Sequence, residues 1–499
     1  MTTVSSRFPD HHWLAVLAIV LGVTGVRLIG LSLAHVDLGV DEAQYWLWAQ
    51  DPAWGYYSKP PMVAWLIGGA QAVCGPSEAC IRAPAALAWA GTSLFVFATA
   101  RHLFGPRVGL VAALATLLAP GAIFSARIIS TDAPLLLFWA AALFALVRLR
   151  AGGGLGWALL LGAAIGLGLL SKYAMLYFVG GLVLAAVFDP ATRRAVVSRW
   201  GLVALGIGLL VLAPNLAWNL ANGLATVRHT ADNASGGGLT PGIVDPLAFA
   251  AAQFFIAGPV VFTGFAWAVW VWLKGRAGAD ERLLILFSLP IFTALIVVAT
   301  LTRAHANWAA SGLIAAFILG ALVLVRARRT GWLIGGFVFA LAFQALTLWG
   351  DAHADRWVVA GETPYAPVLG WADFARTLAD RAEANGAAVI VAERRAEIAA
   401  LAYYARERDV TAKAWPPGPG RAAQNHFQMS RALTGDEPGP VLAVSACPGG
   451  QRFAAAFGRV TDLGPISTPV GPIERRTVHL FLLDQPRLPL TTPTGCPDR

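Results

Sequence analysis

Two adjacent carboxylates are the first candidates for chemistry in this sequence. Asp41 and Glu42 follow a long apolar run and begin a segment, residues 40–48, that is rich in aromatic side chains. A carboxylate beside a bound substrate can take or give a proton, so the pair is a candidate for general acid–base catalysis. The alternative is structural, because an acidic residue at the start of a helix gains about 0.3–1 kcal/mol from the helix dipole.

Isolated cations stand at the ends of other apolar runs. They are Lys59, Arg82, Arg127, Lys172, Arg228 and Arg303, with Asp132 and His305 close by. Taken singly, each cation is explained by a long side chain that reaches the membrane interface. Taken together with the neighbouring acidic and aromatic residues, they indicate a site for a phosphate-bearing ligand, because Lys and Arg bind phosphate oxygens.

The composition identifies the kind of protein that must position these residues. Hydrophobic residues make up 57% of the 499 residues and charged residues only 13%, against about 25% charged in soluble domains. Because a soluble globule cannot bury so much apolar surface, we predict a polytopic α-helical membrane protein. The net charge of +9 does not indicate nucleic acid, since the basic residues are dispersed and do not alternate with aromatic ones.

Apolar runs long enough to cross a bilayer need about 17–25 residues each. Reading for runs of about this length predicts eleven spans, roughly at residues 13–34, 81–104, 108–124, 132–149, 155–171, 174–188, 200–219, 246–273, 282–301, 307–326 and 331–349. A shorter run at 62–73 predicts an interfacial or re-entrant helix.

Lys and Arg are clustered in one set of connecting loops and isolated in the other set. Since cytoplasmic loops carry the excess of basic residues, the clustered set and the N-terminus are predicted to be cytoplasmic. The first span is predicted to be a retained anchor, because no small-residue cleavage site follows it. Eleven crossings then place the C-terminus outside, which is the periplasm if the protein lies in a bacterial inner membrane.

The chain after residue 350 has a mixed, soluble composition. Helical spacing at 371–385 and 397–408 alternates with strand-like runs at 388–392, 441–445 and 477–483. This alternation predicts two domains, a membrane domain at 1–350 and an extracytoplasmic α/β domain at 351–499.

Four cysteines, Cys74, Cys80, Cys447 and Cys496, fall on the predicted outer side, where disulfides persist. Three pairings are possible. The pairing of Cys74 with Cys80 and of Cys447 with Cys496 is favoured because each pair lies within one outer segment, and four free thiols are the alternative.

One cation lies inside an apolar run. Arg27 is predicted to face the interior of the helix bundle, with Asp37 or Asp41 as its partner.

Several motifs resemble one family when they are read together. They are DEAQYWLWAQ, GYYSKPP, RIISTDAP, LLSKY, APNLAWN and HANW. The chain resembles the bacterial GT-C glycosyltransferases that use polyprenyl-phosphate-linked sugars, including the lipid A aminoarabinose and galacturonic acid transferases and, more distantly, the protein O-mannosyltransferases. The resemblance covers about residues 10–350.

The resemblance implies a role for each candidate residue. Asp41 corresponds to a general base that deprotonates the acceptor hydroxyl, Asp132 to the second acidic position, and Lys59 to a lysine that contacts the lipid phosphate. The other implied substrate-binding residues are Glu42, Tyr45, Tyr57, Arg82, Arg127, Lys172, Arg303 and His305. All of these residues are expected in one outer pocket. Ser58 departs from the family, in which lipid A members often carry Glu, and this argues against a borrowed metal site and against lipid A as the acceptor.

The implied reaction moves a sugar from a polyprenyl-phosphate donor to an acceptor hydroxyl, with inversion. The acceptor is a glycolipid, a polysaccharide or a protein. The sequence assigns no cofactor and leaves a divalent metal open, with Glu42 and His305 as its candidate ligands. The sequence has neither a P-loop nor a Rossmann fingerprint that would bind a nucleotide. The alternative function is transport or flipping of a lipid-linked anionic glycan, which would also need outer cations.

Overall fold

The structure, a computed structural model, describes residues 11–235, 242–418, 420–490 and 493. The described residues divide into two compact units. The membrane unit comprises Met1–Ser32 and Lys59–Leu348, and the C-terminal unit comprises Leu33–Ser58 and Trp349–Arg499.

The membrane unit is helical wherever it has regular structure among the described residues. Its helices are α1 His11–Ser32, α3 Met62–Cys74, α4 Glu78–Phe104, α5 Pro106–Leu117, α6 Pro120–Ser125, α7 Asp132–Arg150, α8 Leu155–Ser171, α9 Leu176–Phe188, α10 Pro190–Val197, α11 Arg199–Ala221, α12 Ala225–Ser235, α13 Val244–Ala257, α14 Pro259–Leu273, α15 Ala279–Leu286, α16 Leu289–Leu301, α17 Ala310–Arg326 and α18 Thr330–Ala352. Short 3-10 helices lie at Tyr173–Met175 and Ala306–Ala309. The predicted helical membrane fold is confirmed.

The predicted count of eleven spans is not confirmed. Within the described ranges, seven helices are long and apolar enough to cross a membrane, or nine if each of two bent pairs counts as one span. The predicted spans at 108–124 and 246–273 are both broken. Ala119 and Gly258 each precede a proline, which disfavours the helical conformation, and α13 and α14 meet at 114°. The short run at 62–73 forms the 13-residue helix α3, and its interfacial or re-entrant position stays a prediction.

Small residues allow these helices to approach closely. A Cβ placed on Gly162 of α8 would lie 2.3 Å from the carbonyl oxygen of Ala204 in α11. The same distance separates a Cβ on Gly320 of α17 from the carbonyl oxygen of Val261 in α14. Such glycines are typical of membrane helix interfaces, where association depends on tight packing.

One predicted disulfide is present in the membrane unit. Cys74 at the end of α3 is bonded to Cys80 in the first turn of α4, with their Cα atoms 5.9 Å apart. This pairing confirms the prediction. The predicted partner of Cys447, Cys496, lies outside the described residues.

The C-terminal unit is an α/β domain, as predicted. Its helices are α2 Val40–Gln50, α19 Trp371–Ala384, α20 Arg395–Tyr404 and α21 His426–Ser430, and its strands are β1 Val389–Ala392, β2 Thr411–Ala414, β3 Val441–Ser445, β4 Phe457–Val470 and β5 Glu474–Pro486. The described strands form one sheet in the order β2-β1-β3-β5-β4, in which β1 is parallel to β2 and β3. Strand β5 runs antiparallel to β3 and β4.

The segment Leu33–Ser58 belongs to this unit by its contacts. Asp37 accepts hydrogen bonds from the backbone N–H of Trp371 at 2.6 Å and of Ala372 at 3.3 Å, at the start of α19. The hydroxyl of Tyr404, at the end of α20, accepts a hydrogen bond from the backbone N–H of Leu38 at 2.6 Å. The segment that carries the predicted base is therefore anchored to residues more than 300 positions later in the chain.

Candidate functional site

A three-residue polar cluster joins helix ends of the membrane unit. Lys172 Nζ donates to Asp132 Oδ1 at 2.6 Å, and Asn307 Nδ2 donates to Asp132 Oδ2 at 2.8 Å. We call Asp132, Lys172 and Asn307 the Asp132 cluster. The side chains of Asp132 and Lys172 are 14% and 18% exposed, so the ion pair is shielded but can still be reached by a ligand.

The helix ends explain why these three residues meet. Asp132 is the first residue of α7, where the positive end of the helix dipole favours a carboxylate. Lys172 directly follows α8, and Asn307 lies in the 3-10 helix before α17. Gln253 of α13 fixes this 3-10 helix by donating to the carbonyl oxygen of Ala306 at 2.8 Å.

A buried amide pair supports the residue next to Lys172. The hydroxyl of Tyr173 donates to Asn215 Oδ1 at 2.8 Å and accepts from Asn219 Nδ2 at 3.0 Å. Asn215 and Asn219 are buried in α11 and are four residues apart, so they lie on one helix face. The asparagines of the APNLAWN motif thus hold Tyr173, and through it the turn that carries Lys172.

The other predicted cations of the membrane unit occupy different surroundings. Arg82 is 2% exposed near the start of α4. Arg127 is half-buried, with its guanidinium carbon 5.3 Å from the centre of the Phe124 ring. Lys59 is also half-buried and is the first residue of the range Lys59–Leu348 of the membrane unit. Arg303 and His305 are exposed, only a few residues before Asn307. The structure brings Asp132 and Lys172 together and adds Asn307, which was not among the predicted residues.

An apolar groove lies beside the 3-10 helix that carries Asn307. It is lined by Phe249 and Gln253 of α13, Phe262 and Phe265 of α14, and Phe292 and Ile296 of α16, among others. Gln253 contributes both to this groove and to the hydrogen bond that fixes Ala306. A polar cluster beside an apolar groove suits an amphiphile with a charged head and a hydrocarbon chain.

The predicted base lies in the C-terminal unit and has a partner that the sequence did not indicate. Arg395 Nη1 donates to Asp41 Oδ1 at 2.7 Å and to Gln44 Oε1 at 3.3 Å. The side chain of Asp41 is 60% exposed and that of Arg395 is 41% exposed. Arg395 is the first residue of α20, three positions after the end of β1, and no local pattern in the sequence links it to Asp41.

Glu42, next to Asp41, has a structural role. Its Oε2 atom accepts a hydrogen bond from the backbone N–H of Gly39, the N-cap residue, at 2.9 Å and so fixes the start of α2. The helix-start alternative therefore applies to Glu42, whereas the Asp41 carboxylate points to Arg395. Among the described residues, no group of three or more His, Cys, Asp and Glu side chains could hold a metal ion.

Aromatic contacts fix the far end of α2. Trp48 stacks on Tyr56 with 4.5 Å between ring centres, and His426 of α21 meets the edge of Trp48 at 5.3 Å. Burial, with the nearby Arg431 charge, lowers the pKa of His426 to about 4, so the ring is neutral at pH 7. Burial also raises the pKa of Tyr56 to about 12. Tyr45 is buried against Trp48, with 5.0 Å between ring centres, and Tyr57 is half-buried.

The predicted partner of Arg27, Asp37 or Asp41, was wrong. Its Nε donates to Gln344 Oε1 at 2.9 Å and its Nη2 donates to the carbonyl oxygen of Leu117 at 2.6 Å. Asp37 instead caps α19, and Asp41 pairs with Arg395. Arg27 does face the interior of the bundle, since it is 3% exposed.

Comparison with known proteins agrees with this architecture. Residues 58–218 match the family model of dolichyl-phosphate-mannose-protein mannosyltransferases. The lipid A galacturonosyltransferase RgtD of Rhizobium johnstonii is 34% identical over 439 residues, which cover 85% of this chain and 89% of that protein.

The fold has also been seen in crystal structures. ArnT from Cupriavidus metallidurans aligns with a TM-score of 0.65 in the apo state, at 15% identity, over 94% of this chain and 97% of ArnT. The ArnT structure bound to undecaprenyl phosphate aligns with a TM-score of 0.68, at 16% identity, over 95% and 98% of the two chains. At this level of identity the likeness establishes the fold.

The sequence alone was compatible with a transferase or with a flippase. The 34% identity to RgtD over most of both chains identifies the protein as a transferase. The chain belongs to the family of GT-C membrane glycosyltransferases that includes the lipid A galacturonosyltransferase of Rhizobium johnstonii.

Proposed function

We propose that this enzyme transfers a sugar from a polyprenyl-phosphate donor to a hydroxyl of a glycolipid acceptor, with inversion at the anomeric carbon. The observation that carries the proposal is the contrast between its two candidate acids. Asp132 has both carboxylate oxygens engaged. Asp41 has one oxygen on Arg395 and is exposed, so it can accept a proton from an incoming hydroxyl.

The donor is inferred from the membrane unit. An apolar groove beside the Asp132 cluster suits a polyprenyl chain, and Lys59, Arg127, Lys172 and Arg303 are the candidate cations for the phosphate. The ArnT crystal structure of the same fold contains undecaprenyl phosphate. As the glycosidic bond breaks, negative charge builds on the departing phosphate, and fixed cations stabilise that charge.

The proposed reaction is a single displacement. The acceptor oxygen forms a bond to the anomeric carbon as the bond from that carbon to the phosphate oxygen breaks. The hydroxyl proton passes to Asp41, and the polyprenyl phosphate leaves with the electron pair. Attack from the face opposite the leaving group inverts the configuration at the anomeric carbon.

The sugar and the acceptor are inferred from the relative. RgtD is named for transfer of galacturonic acid to lipid A, so we propose a uronic acid as the sugar and lipid A as the acceptor. Ser58 argued against lipid A at one position, but identity over most of the chain outweighs that single departure. A multi-pass location in the bacterial inner membrane, with the C-terminal unit in the periplasm, completes the proposal.

A transfer assay with purified protein tests the base. With synthetic polyprenyl-phosphate galacturonic acid and lipid A, Asp41→Asn is expected to abolish transfer and leave donor binding nearly unchanged. Asp373→Asn is the matched control, because Asp373 has an equally exposed carboxylate that is paired with Arg376 at 3.0 Å. Full transfer by Asp41→Asn would remove the base from the mechanism.

Donor binding is tested separately. Lys59→Ala is expected to weaken binding of the polyprenyl-phosphate sugar, because one cation of the phosphate site is lost. An unchanged donor affinity would remove the phosphate role of Lys59 and would leave the assignment of the base standing.

A further inference from the structure

An exposed hairpin follows the helix α18. This helix ends at Ala352, and Val359 and Glu362 then exchange two backbone hydrogen bonds of 2.9 Å, one in each direction. The two residues between them, Ala360 and Gly361, have φ angles of 51° and 83°, as in the two-residue turns that close β-hairpins. We call residues 357–362 the Trp357 hairpin.

The tip of the Trp357 hairpin is apolar, whereas turns are usually rich in polar residues. Residues 357–361 have the sequence WVVAG. Val358 and Val359 are 40% and 48% exposed, and Ala360 is exposed as well. Ala360 occupies a left-handed position for which Asn, Asp and Gly are the usual choices. The hairpin therefore presents apolar surface that the C-terminal unit does not cover.

Helix α18 indicates where the membrane surface lies near this hairpin. Trp332 and Trp349 are 57% and 50% exposed, and the helix rises about 26 Å from one to the other. That rise is close to the hydrocarbon thickness of about 30 Å, and Trp is enriched at both membrane–water interfaces. Arg329 directly precedes the helix, and Asp351 lies two residues after Trp349. Trp349 therefore marks the interface at the C-terminal end of α18.

Aromatic contacts hold the Trp357 hairpin beside the last turn of α18. The Trp357 ring meets the Trp349 ring edge-on, with 5.2 Å between their centres. Tyr365 packs on Trp357 at 5.9 Å, and its hydroxyl donates to Asp351 Oδ1 at 2.9 Å. Gly350 permits this approach, because a Cβ there would lie 2.5 Å from the Trp357 ring. The hairpin thus begins at the level of Trp349, and all of these residues belong to the C-terminal unit.

We propose that the Trp357 hairpin inserts into the lipid leaflet at the C-terminal end of α18, with Val358 and Val359 between the headgroups and the first acyl carbons. Its apolar surface continues from the exposed Trp349 ring. The two hydrogen bonds between Val359 and Glu362 satisfy backbone groups that would otherwise lack water there. A protein partner fits less well, because a stable interface takes about 20–30 residues a side and this tip is a single turn. The proposal does not depend on the proposed reaction.

Fluorescence quenching in liposomes that contain the full-length protein tests the proposal. A nitrobenzoxadiazole label is attached to Val359→Cys or to Leu488→Cys, and the labelling of wild type is subtracted. Leu488 is the control, because it is an apolar residue of the same unit that is 68% exposed and lies beside Gly435. We expect a lipid with a nitroxide near its headgroup to quench the label on Val359→Cys more strongly than that on Leu488→Cys. Aqueous iodide is expected to give the reverse order.

A second variant guards against insertion that the label itself causes. Val359→Asp places a charge at the tip, which is costly among acyl chains, and a label on Val358→Cys reports its effect. The charge is expected to cause a loss of lipid quenching and a gain of iodide quenching, whereas Val359→Leu is expected to change neither.

Three results would overturn the proposal. The first is equal iodide quenching of the labels on Val359→Cys and Leu488→Cys. The second is shielding of the label on Val359→Cys from both quenchers, which would indicate that protein, such as a second copy of the chain, covers the hairpin. The third is unchanged quenching of the label on Val358→Cys when Val359→Asp is added.

Discussion

Asp132 and Asp41 are held in different ways, and this contrast separates their expected roles. The carboxylate of Asp132 is fixed from two sides by Lys172 and Asn307, which suits a group that orients a cation near a phosphate. Asp41 is held on one side by Arg395 and is open on the other. An exposed carboxylate of this kind can exchange a proton with a substrate.

The first prediction at this scale concerns the ion pair of the Asp132 cluster. Lys172→Met is expected to lower transfer about a hundredfold, the usual effect of removing one electrostatic donor from an active site. The double variant with Asp132→Asn is expected to be no slower than the worse single variant, because the two residues act as a unit. Initial rates of sugar transfer measure both.

The ion pair between Asp189 and Arg150 provides the control for that experiment. It joins side chains that are 14% and 13% exposed at 2.7 Å, so it matches the Lys172–Asp132 pair in burial. Asp189→Asn is expected to reduce stability without changing transfer per folded molecule. Equal losses of transfer in Asp189→Asn and Lys172→Met would mean that the Asp132 cluster is only structural.

The second prediction concerns Arg395. Arg395→Gln is expected to lower kcat about tenfold to a hundredfold, because Asp41 loses the charged hydrogen bond that positions it. The KM for the donor is expected to stay nearly constant, and Arg395→Lys to recover part of the rate. Arg376→Gln removes an exposed arginine paired with Asp373 and is expected to leave both kcat and KM unchanged. A kcat at the wild-type level in Arg395→Gln would refute the positioning role.

The types of these residues could be predicted from the sequence, but their partners could not. Asp132 and Lys172 were expected in one cavity because both end or begin apolar runs on the same predicted face. Arg395 is one of several charged residues after a strand, and no sequence feature distinguishes it from its neighbours. It lies 354 positions after Asp41 in the sequence. Such a pairing depends on tertiary packing that no local pattern reports. That Asp41 and Lys59 act in one pocket stays a prediction.

Helix α20 is the element that joins the candidate base to the rest of the C-terminal unit. Arg395 at its start holds Asp41, and Tyr404 at its end holds Leu38. Glu397 in its first turn is 3% exposed, and burial raises the pKa of this carboxyl to about 7. The stability of α20 should therefore respond to pH in the neutral range.

The third prediction gives the sign of that response. The folded pKa of Glu397 lies above the unfolded value of 4.5, so the folded state binds more protons between these pH values and stability falls as pH rises toward 7. Glu397→Gln mimics the protonated form. It is expected to stabilise α20 at pH 8, by up to the order of 3 kcal/mol, and to have little effect near pH 5.

Hydrogen exchange of α20 in the full-length protein measures this difference. The variant and the wild type are compared at each pH, so intrinsic exchange rates cancel. Glu407→Gln is the control, because the Glu407 side chain is 83% exposed. A difference between Glu397→Gln and wild type that does not change with pH would contradict the prediction.

Element boundaries could be predicted where the pattern was regular. The runs that became α7, α19 and β3 were assigned within a residue or two, because their apolar spacing is uninterrupted. Strand β4 was missed because it contains Gly464, Pro465 and Pro469, residues that are poor strand formers and tolerated at a sheet edge. The bent helix pairs were missed because hydropathy does not report a change of direction.

At the scale of the whole molecule, the sequence predicts an orientation that the disulfide supports. The Cys74–Cys80 bond fits an oxidising compartment, and the loop that carries it is on the predicted outer side. The fourth prediction concerns Gly152, in the turn between α7 and α8 that is predicted to be cytoplasmic. In Gly152→Cys the new thiol is expected to react with a membrane-impermeant maleimide only after the membrane is permeabilised.

The matched position for that experiment is Ser77, in the predicted outer loop before α4. Ser77→Cys is expected to react with a membrane-impermeant maleimide in intact spheroplasts, in a background in which Cys74 and Cys80 are replaced by serine. Labelling of the Gly152 site in intact spheroplasts, without labelling at Ser77, would reverse the proposed topology.

The membrane character of the chain could be predicted from composition alone. The assignment of residues 33–58 to the C-terminal unit could not be predicted in this way. In the linear sequence this segment lies between two apolar stretches and was placed with the membrane domain. Its grouping with the C-terminal unit rests on Asp37, Leu38 and Asp41.

That grouping constrains how family members can be recombined. A hybrid made by exchanging only the part after Trp349 would separate Asp37 from the start of α19 and Asp41 from Arg395. Residues 33–58 would have to be exchanged together with that part to keep these contacts. The unit that must be exchanged is therefore discontinuous in the sequence. It consists of the short segment Leu33–Ser58 and the long segment that begins at Trp349.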